Sequence, residues 1–231
     1  AGPVGAALAL ALAGAGIDVV ALDARARGAT LRGDGSLALS HGARLIFERL
    51  SVWAPLAESP GAVTPIVRVD VSQAGGFGTA MLEAGDVGLP ALGYVVSYVA
   101  LQAALDAALE RAGVDVRYGE SVERVDADAG RALVRQAGDA AAIEACLAVV
   151  ADGTGAALAG IERARHDYGQ VAVIGKVATA RPHGGLAYER FTPDGPIALL
   201  PEDEHYGFVW TLEPRRAQEV LALPDDAFAA C

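Results

Sequence analysis

Cysteine is scarce in this chain, and basic residues are outnumbered. Two cysteines, Cys146 and Cys231, cannot form a disulfide framework, and no Cys/His cluster has zinc spacing, so no metal site is expected. A reducing compartment is the plain reading. Lys and Arg total 18 against 29 Asp and Glu, a balance of 18 − 29 = −11. Such a chain has no electrostatic footprint for nucleic acid, and its charge opposes binding to anionic lipid. The apolar run Ala6–Ala13 is only eight residues long. A membrane span needs about 20. No basic start marks a signal peptide, and no initiator Met is present, so residue 1 reads as a cut point inside a longer sequence.

What the chain does have is apolar content. Hydrophobic residues make up 53% and charged ones 20%, enough for one large core or two small ones. Ala6–Ala13 is predicted as a helix stopped by Gly14 and Gly16, followed by a buried strand at Ile17–Leu22. Ser40 can cap a second helix with Leu45, Ile46 and Leu50 on one face. Thr64–Ser72 alternates as a half-buried strand, turned back through Gly75-Gly76 into Phe77–Glu83. Ser97–Arg111 carries Leu101, Leu105, Ala108 and Leu109 at helical spacing, with Gly113 placed to end the helix.

Short strands are expected at about Val114–Tyr118, Ser121–Asp126, Ala132–Gln136, Ala141–Ala145 and Leu147–Val150. From Val171 onward the pattern is nearly all strand, until a last helix near Pro214. Helix–strand units thus precede an antiparallel half. The fold class is α/β, a Rossmann-like nucleotide-binding domain interleaved with a sheet-rich domain. The expected division is 1–62 with 96–158 for the first, and 63–95 with 159–231 for the second.

The opening Ala1-Gly2-Pro3-Val4-Gly5 leads into a helix, a strand and then Asp23. In a dinucleotide fold, glycines let backbone approach a pyrophosphate at a helix N-terminus, and an acid about 20 residues on takes a ribose hydroxyl. Gly2 and Gly5 fit the second and third glycines of that pattern; Asp23 lies 18 residues after Gly5, and Ala9 is small enough for close packing. A second signal is Val149-Val150-Ala151-Asp152-Gly153, an apolar strand ending in Asp-Gly.

On these residues the chain resembles the flavin-dependent aromatic hydroxylases of the p-hydroxybenzoate hydroxylase fold. Within them it is most similar to the ubiquinone-biosynthesis branch, the 2-polyprenyl-phenol hydroxylases. The stretches that carry the resemblance are GPVGAALALALAGAG (2–16), ALDAR (21–25), LALSHGARLIFERL (37–50), VSQAGGFG (71–78), ALGYVVSY (91–98), VVADG (149–153), HDYGQVAV (166–173) and AYERFTPDGPIALLP (187–201). The resemblance implies an oxidoreductase, a monooxygenase in which NAD(P)H reduces bound FAD and oxygen then hydroxylates a polyprenylated phenol.

It also implies cofactor contacts at Gly2, Gly5 and Asp23, Arg25 toward the adenine end, and Asp152 and Gly153 at the FAD and NAD(P)H pyrophosphates. Tyr168-Gly169-Gln170 and Glu189-Arg190-Phe191 fall in the substrate-domain sheet. No catalytic residue is assigned. Expected partners are the phenolic substrate and oxygen, with loose membrane-surface contact and other ubiquinone-biosynthesis enzymes as further ones. The expected location is cytoplasmic, peripheral to the inner membrane.

The chain departs from the pattern at two points. Val99 and Gly35 stand where the family usually has Arg, and Val offers no donors in place of a guanidinium. The opening strand and the later Gly-Asp motif are not in the sequence, so the chain is expected to be a fragment lacking both ends. Alternatives are another FAD/NAD(P)-dependent oxidoreductase, or a non-catalytic truncated fragment. The four His are expected to be ordinary polar residues, Cys146 a buried inert thiol, and Trp53 and Trp210 packing residues.

Overall fold

The computed structural model describes residues 1–29, 35–138, 141–153 and 158–229. In chain order these form α1 (Pro3–Gly14), β1 (Val20–Asp23), β2 (Ser36–Ser40), α2 (His41–Arg49), α3 (Trp53–Glu58), β3 (Val63–Ile66), β4 (Arg68–Gln73) and β5 (Thr79–Glu83). Next come β6 (Gly93–Ser97), α4 (Tyr98–Arg111), β7 (Asp115–Tyr118), β8 (Val122–Ala127), β9 (Ala132–Gln136) and β10 (Ile143–Ala145). The chain continues through β11 (Val171–Val177), β12 (Leu186–Thr192), β13 (Gly195–Glu202), β14 (His205–Leu212), α5 (Pro214–Leu221) and α6 (Asp225–Ala229). Among the described residues no helix is long and apolar enough to cross a membrane.

Two compact units emerge. The first comprises 1–34, 46–56 and 99–165; the second comprises 35–45, 57–98 and 166–231.

In the first unit, Pro3 starts α1 with a preset φ, and Ala and Leu sustain it until Gly16 turns the chain at φ +78°. Ala6, Ala9 and Leu10 are its buried residues. β1 pairs in parallel with β7, so that Asp23 and Tyr118 face each other at the carboxyl ends. α4 buries Leu101, Leu105 and Leu109 at i, i+4 spacing and ends before Gly113 at φ +67°. β10, β9 and β8 form a separate antiparallel sheet.

The second unit holds a three-stranded sheet, β2-β6-β3, and a six-stranded one, β11-β14-β13-β12-β4-β5. One face of the larger sheet makes a core of Val173, Phe208, Trp210 and Leu212 with Ala217 and Val220 of α5. The other face joins Ala187, Val69 and Leu200 to Ile66 and Val95 of the smaller sheet.

Several expectations need correction. Thr64–Ser72 is not one strand. Val67 leaves the ladder and donates its N–H to Gly185 O at 2.8 Å, so β3 and β4 lie in different sheets. Leu147–Val150 is not a strand, because no neighbouring strand supplies its hydrogen bonds, and Leu147, Val149 and Val150 are exposed. Ser40 does cap α2, accepting from Ala43 N–H at 3.2 Å, but Phe47 is the buried residue while Leu45 and Ile46 are exposed. Cys146 is exposed, because β10 ends at Ala145 and leaves it outside the ladder. Trp53 and Trp210 are buried, as packing residues should be.

Gly195 shows where the backbone admits no side chain. Its φ is +131°, and a Cβ there would collide with the Thr211 carbonyl. Gly195→Ala is therefore expected to lower stability by about 2 kcal/mol or more in urea denaturation. Gly14→Ala, at a helical position where a Cβ meets nothing within 4 Å, should be neutral or stabilise by up to about 1 kcal/mol.

Candidate functional site

The carboxyl ends of parallel strands are where α/β folds bind ligands. Asp23 and Tyr118 end the parallel pair β1–β7. They line an open cleft of about 270 Å³ with Arg25, Val99, Gln102 and Asp106. That volume is near the lower end for small-ligand pockets, about 300–1,000 Å³, so it suits part of a dinucleotide.

Asp23 is buried at 9% exposure and densely paired. Arg25 donates its backbone N–H at 2.8 Å to Oδ1 and forks its guanidinium across both oxygens, with Nη2 at 2.8 Å from Oδ2. The Ala1 amino group lies 2.9 Å from Oδ2. Burial pushes this carboxyl up. The Arg25 hydrogen bonds, side chain first and then backbone, outweigh burial together with the Ala1 amino group and hold it well below the usual carboxylate range. Tyr118 moves the other way: burial, then the Asp106 carboxylate, raise its hydroxyl and keep it a neutral donor.

Sequence reasoning missed Gln102. Its Nε2 donates to Ala1 O at 2.7 Å and Asp106 Oδ1 at 2.8 Å, which fixes the amide orientation. Its Oε1 is then buried with no donor. A buried acceptor without a partner costs stability until a ligand or water donates to it. The role of Gln102 left no signal in the sequence, because it depends on Ala1, far away in the chain, and only Asp106, at i+4, is a local partner.

The other candidates take distinct places. Gly2 caps α1 with extended backbone, and a side chain there would meet nothing within 4 Å. No acidic residue occupies the first turn, so the positive end of the helix is uncompensated. Gly5 is the packing glycine: its Cβ position lies 3.4 Å from Ala151 Cβ, which brings α1 against the segment leading into Asp152. Asp152 is engaged by Arg163 Nη2 at 2.7 Å, a hydrogen bond that lowers its carboxyl pKa. Gly153, at φ +64°, lines a second hollow with Arg163, Ala164 and Arg165. So Asp23 and Arg25 share one cleft, and Gly153 belongs to another. Arg25 lines the cleft but spends its guanidinium on Asp23.

No protein-family model matches the chain. The Pseudomonas aeruginosa protein pqsL, described as a probable FAD-dependent monooxygenase, aligns with a TM-score of 0.73 at 17% identity over 96% of this chain and 61% of its own. CtdE, solved in complex with FAD, aligns at 0.64 and 15% identity over 96% of this chain and 63% of its own. The fold is therefore that of the FAD-dependent monooxygenases. The chain's sequence relatives include ubiquinone-biosynthesis hydroxylases and an uncharacterised Synechocystis protein. The ubiquinone hydroxylase UbiL of Rhodospirillum rubrum is 30% identical over 99% of this chain and 54% of its own length. The chain spans about half the length of the first curated relatives it matches.

The Asp23 cluster makes a pH prediction. A carboxyl whose pKa is lower folded than unfolded adds stability above its unfolded pKa, about 3.9, and loses it as pH falls toward the folded value. Asp23→Asn should cost about 1–3 kcal/mol above pH 5. The gap from the unaltered chain should narrow steadily below pH 4, as read by urea denaturation across pH.

Proposed function

We propose that the chain is the cofactor- and substrate-binding part of an FAD-dependent monooxygenase that hydroxylates a polyprenylated phenol, with NAD(P)H as reductant. The observation that carries the proposal is the acceptor-rich cleft at the ends of β1 and β7. Asp23, held by Arg25 and the Ala1 amino group, sets the rim, while Gln102 Oε1 has no donor among the described residues, and an adenosine offers ribose hydroxyls and an amino group. Tyr118 can donate in return. The bare N-terminus of α1, opened by Gly2, suits the pyrophosphate, and Gly5 lets the helix sit against Ala151. We assign FAD to the first unit and the phenol to the second. Gly153, Arg163, Ala164 and Arg165 line the hollow we assign to NAD(P)H or the far end of FAD, with Asp152 bound to Arg163 beside it.

When bound, the flavin supplies electron transfer and oxygen activation. The chain's own residues bind and orient it. Asp23 stays ionised throughout the neutral range and so remains an acceptor. Arg25 neutralises that charge, which keeps the cleft tolerant of a nearby phosphate. A prenyl tail on the phenol implies loose contact with a membrane surface.

A second reading is favoured by one residue. Val99 lines the cleft, 47% exposed, where the resemblance places Arg, and it offers a phosphate nothing. On that reading the chain holds flavin weakly and is not catalytic. Purification with excess FAD, removal of free ligand and a visible spectrum separate the two. Retained flavin supports the first; a colourless folded protein sinks it. Asp23→Ala is expected to weaken FAD binding about 10–100-fold, and Val99→Arg to strengthen it about tenfold.

A further inference from the structure

Among the described residues, β11 and β5 are the two edges of the six-stranded sheet. An edge strand offers a row of unpaired backbone N–H and C=O groups, and proteins blunt such edges with Lys, Pro or bulges. β11 carries Lys176, next to Gly175, which weakens a strand. β5 reads Thr79-Ala80-Met81-Leu82-Glu83, with no Lys, Gly or Pro and an unbroken register against β4. All of its residues are exposed, Leu82 at 52%. Phe77 and Val87, which flank the strand, are exposed as well.

The pairing with β4 decides which backbone groups look outward. Ala84 donates its N–H to Val67 O at 2.9 Å. Bonded and unbonded pairs alternate along an antiparallel ladder, so Leu82–Val69 and Ala80–Val71 are the bonded pairs that follow. Thr79, Met81 and Glu83 therefore turn their N–H and C=O groups to the free edge. With Met81 at its centre, this pattern is its own complement. Laid antiparallel against a second copy about a two-fold axis, Met81 meets Met81, and Thr79 meets Glu83 on either side. Each of these pairs exchanges both backbone hydrogen bonds.

The side chains agree with that register. Directly paired residues point to the same face of a sheet. On one face, the row Val69–Leu82 runs on into Ala80–Val71 of the second copy and is apolar throughout. On the other face, Glu83 lies beside Arg68 of its own copy and meets Thr79 of the second. Behind that Thr79, Arg190 leans across to Ser72 Oγ at 3.3 Å, which brings its positive charge toward the seam. Each Glu83 carboxylate thus falls between a guanidinium of its own copy and one of the other. Between the two copies of Asp70 stand both Met81 side chains. No like charges sit opposite each other, and the charges along the rows are complementary.

We infer that β5 is the seam of a dimer, in which two copies of this chain join their larger sheets edge to edge, antiparallel about Met81. The occupant is a second copy because the strand's own sequence, reversed, satisfies every pair across the seam. The inference is independent of the cofactor reading above.

The test is sedimentation of the 231-residue chain from about 1 μM to 1 mM, where a monomer–dimer equilibrium is expected. Met81→Pro removes an outward N–H and no bond of the β4–β5 ladder. It should weaken the dimer at least about tenfold and leave far-UV circular dichroism unchanged. Leu82→Lys keeps every backbone group and sets a charge in the apolar row; it should weaken the dimer by a similar factor. Should Met81→Pro fail to fold, Leu82→Lys and a cross-link decide. For the cross-link, Cys146 and Cys231 are replaced by Ser. Met81→Cys in that background should then couple to a second copy through a short bismaleimide, whereas Ile174→Cys, on the β11 edge, should not. A chain that stays monomeric at every concentration overturns the inference. So does a dimer that neither variant weakens, or one that cross-links through position 174 and not through position 81.

Discussion

Two parallel strands cannot hold themselves together. β1 and β7 are four residues each, and parallel pairing is slightly weaker per residue than antiparallel pairing. Their stability comes from burial of the helices beside them, Ala6, Ala9 and Leu10 of α1 and the fully buried leucines of α4. That dependence fixes the first unit's site. The helices must come close, so α1 needs Gly5 against Ala151. The strands must end together, so Asp23 and Tyr118 meet at one rim. A carboxylate at such a rim is desolvated and costs free energy unless paired. Arg25, two residues on in sequence, meets that cost locally.

Much of this was legible in the sequence, because the chemistry involved is local. The helix from Gly2, the acid at the strand end and the helix ending at Gly113 each leave a short-range signature. The sheet-rich half was legible too, since short runs rich in β-branched and aromatic residues, broken by Gly and Pro, recur through β11 to β14. What sequence could not show depends on partners distant in the chain. Val67 alternates like its neighbours, yet Gly185, far along the chain, takes its N–H and splits the strand. Leu147–Val150 has the composition of a buried strand and no ladder to join. Cys146 inherited that mistaken burial. Gln102 is polar within an apolar helix face, and its meaning appears only once Ala1 and Asp106 are seen to claim its amide protons. Glu189-Arg190-Phe191 lies in β12, whereas Tyr168-Gly169-Gln170, expected in the same sheet, precedes β11 and joins no strand.

The second unit solves a different problem. A six-stranded sheet has two faces to cover, and α5 and α6 cover only one. The smaller sheet covers part of the other through Ile66 and Val95. The switch at Val67 lets one chain segment serve both sheets, first in β3 and then in β4. The result is a sheet whose two faces are each covered in part, one by α5 and α6 and one by the smaller sheet. Likeness to the FAD-dependent monooxygenases at under 20% identity shows that the fold tolerates wide change in side chains.

The two tryptophans fall one to each unit, Trp53 in the first and Trp210 in the second, and both are buried. The indole N–H of Trp210 has no acceptor. The protein thus carries a built-in optical reporter for each half. With one indole replaced by Phe, the emission of the other follows a single unit, its Trp210 signal starting from an apolar, unbonded state and shifting to the red as water reaches the ring. Whether the halves melt together or in sequence can be read from light alone, with no label attached.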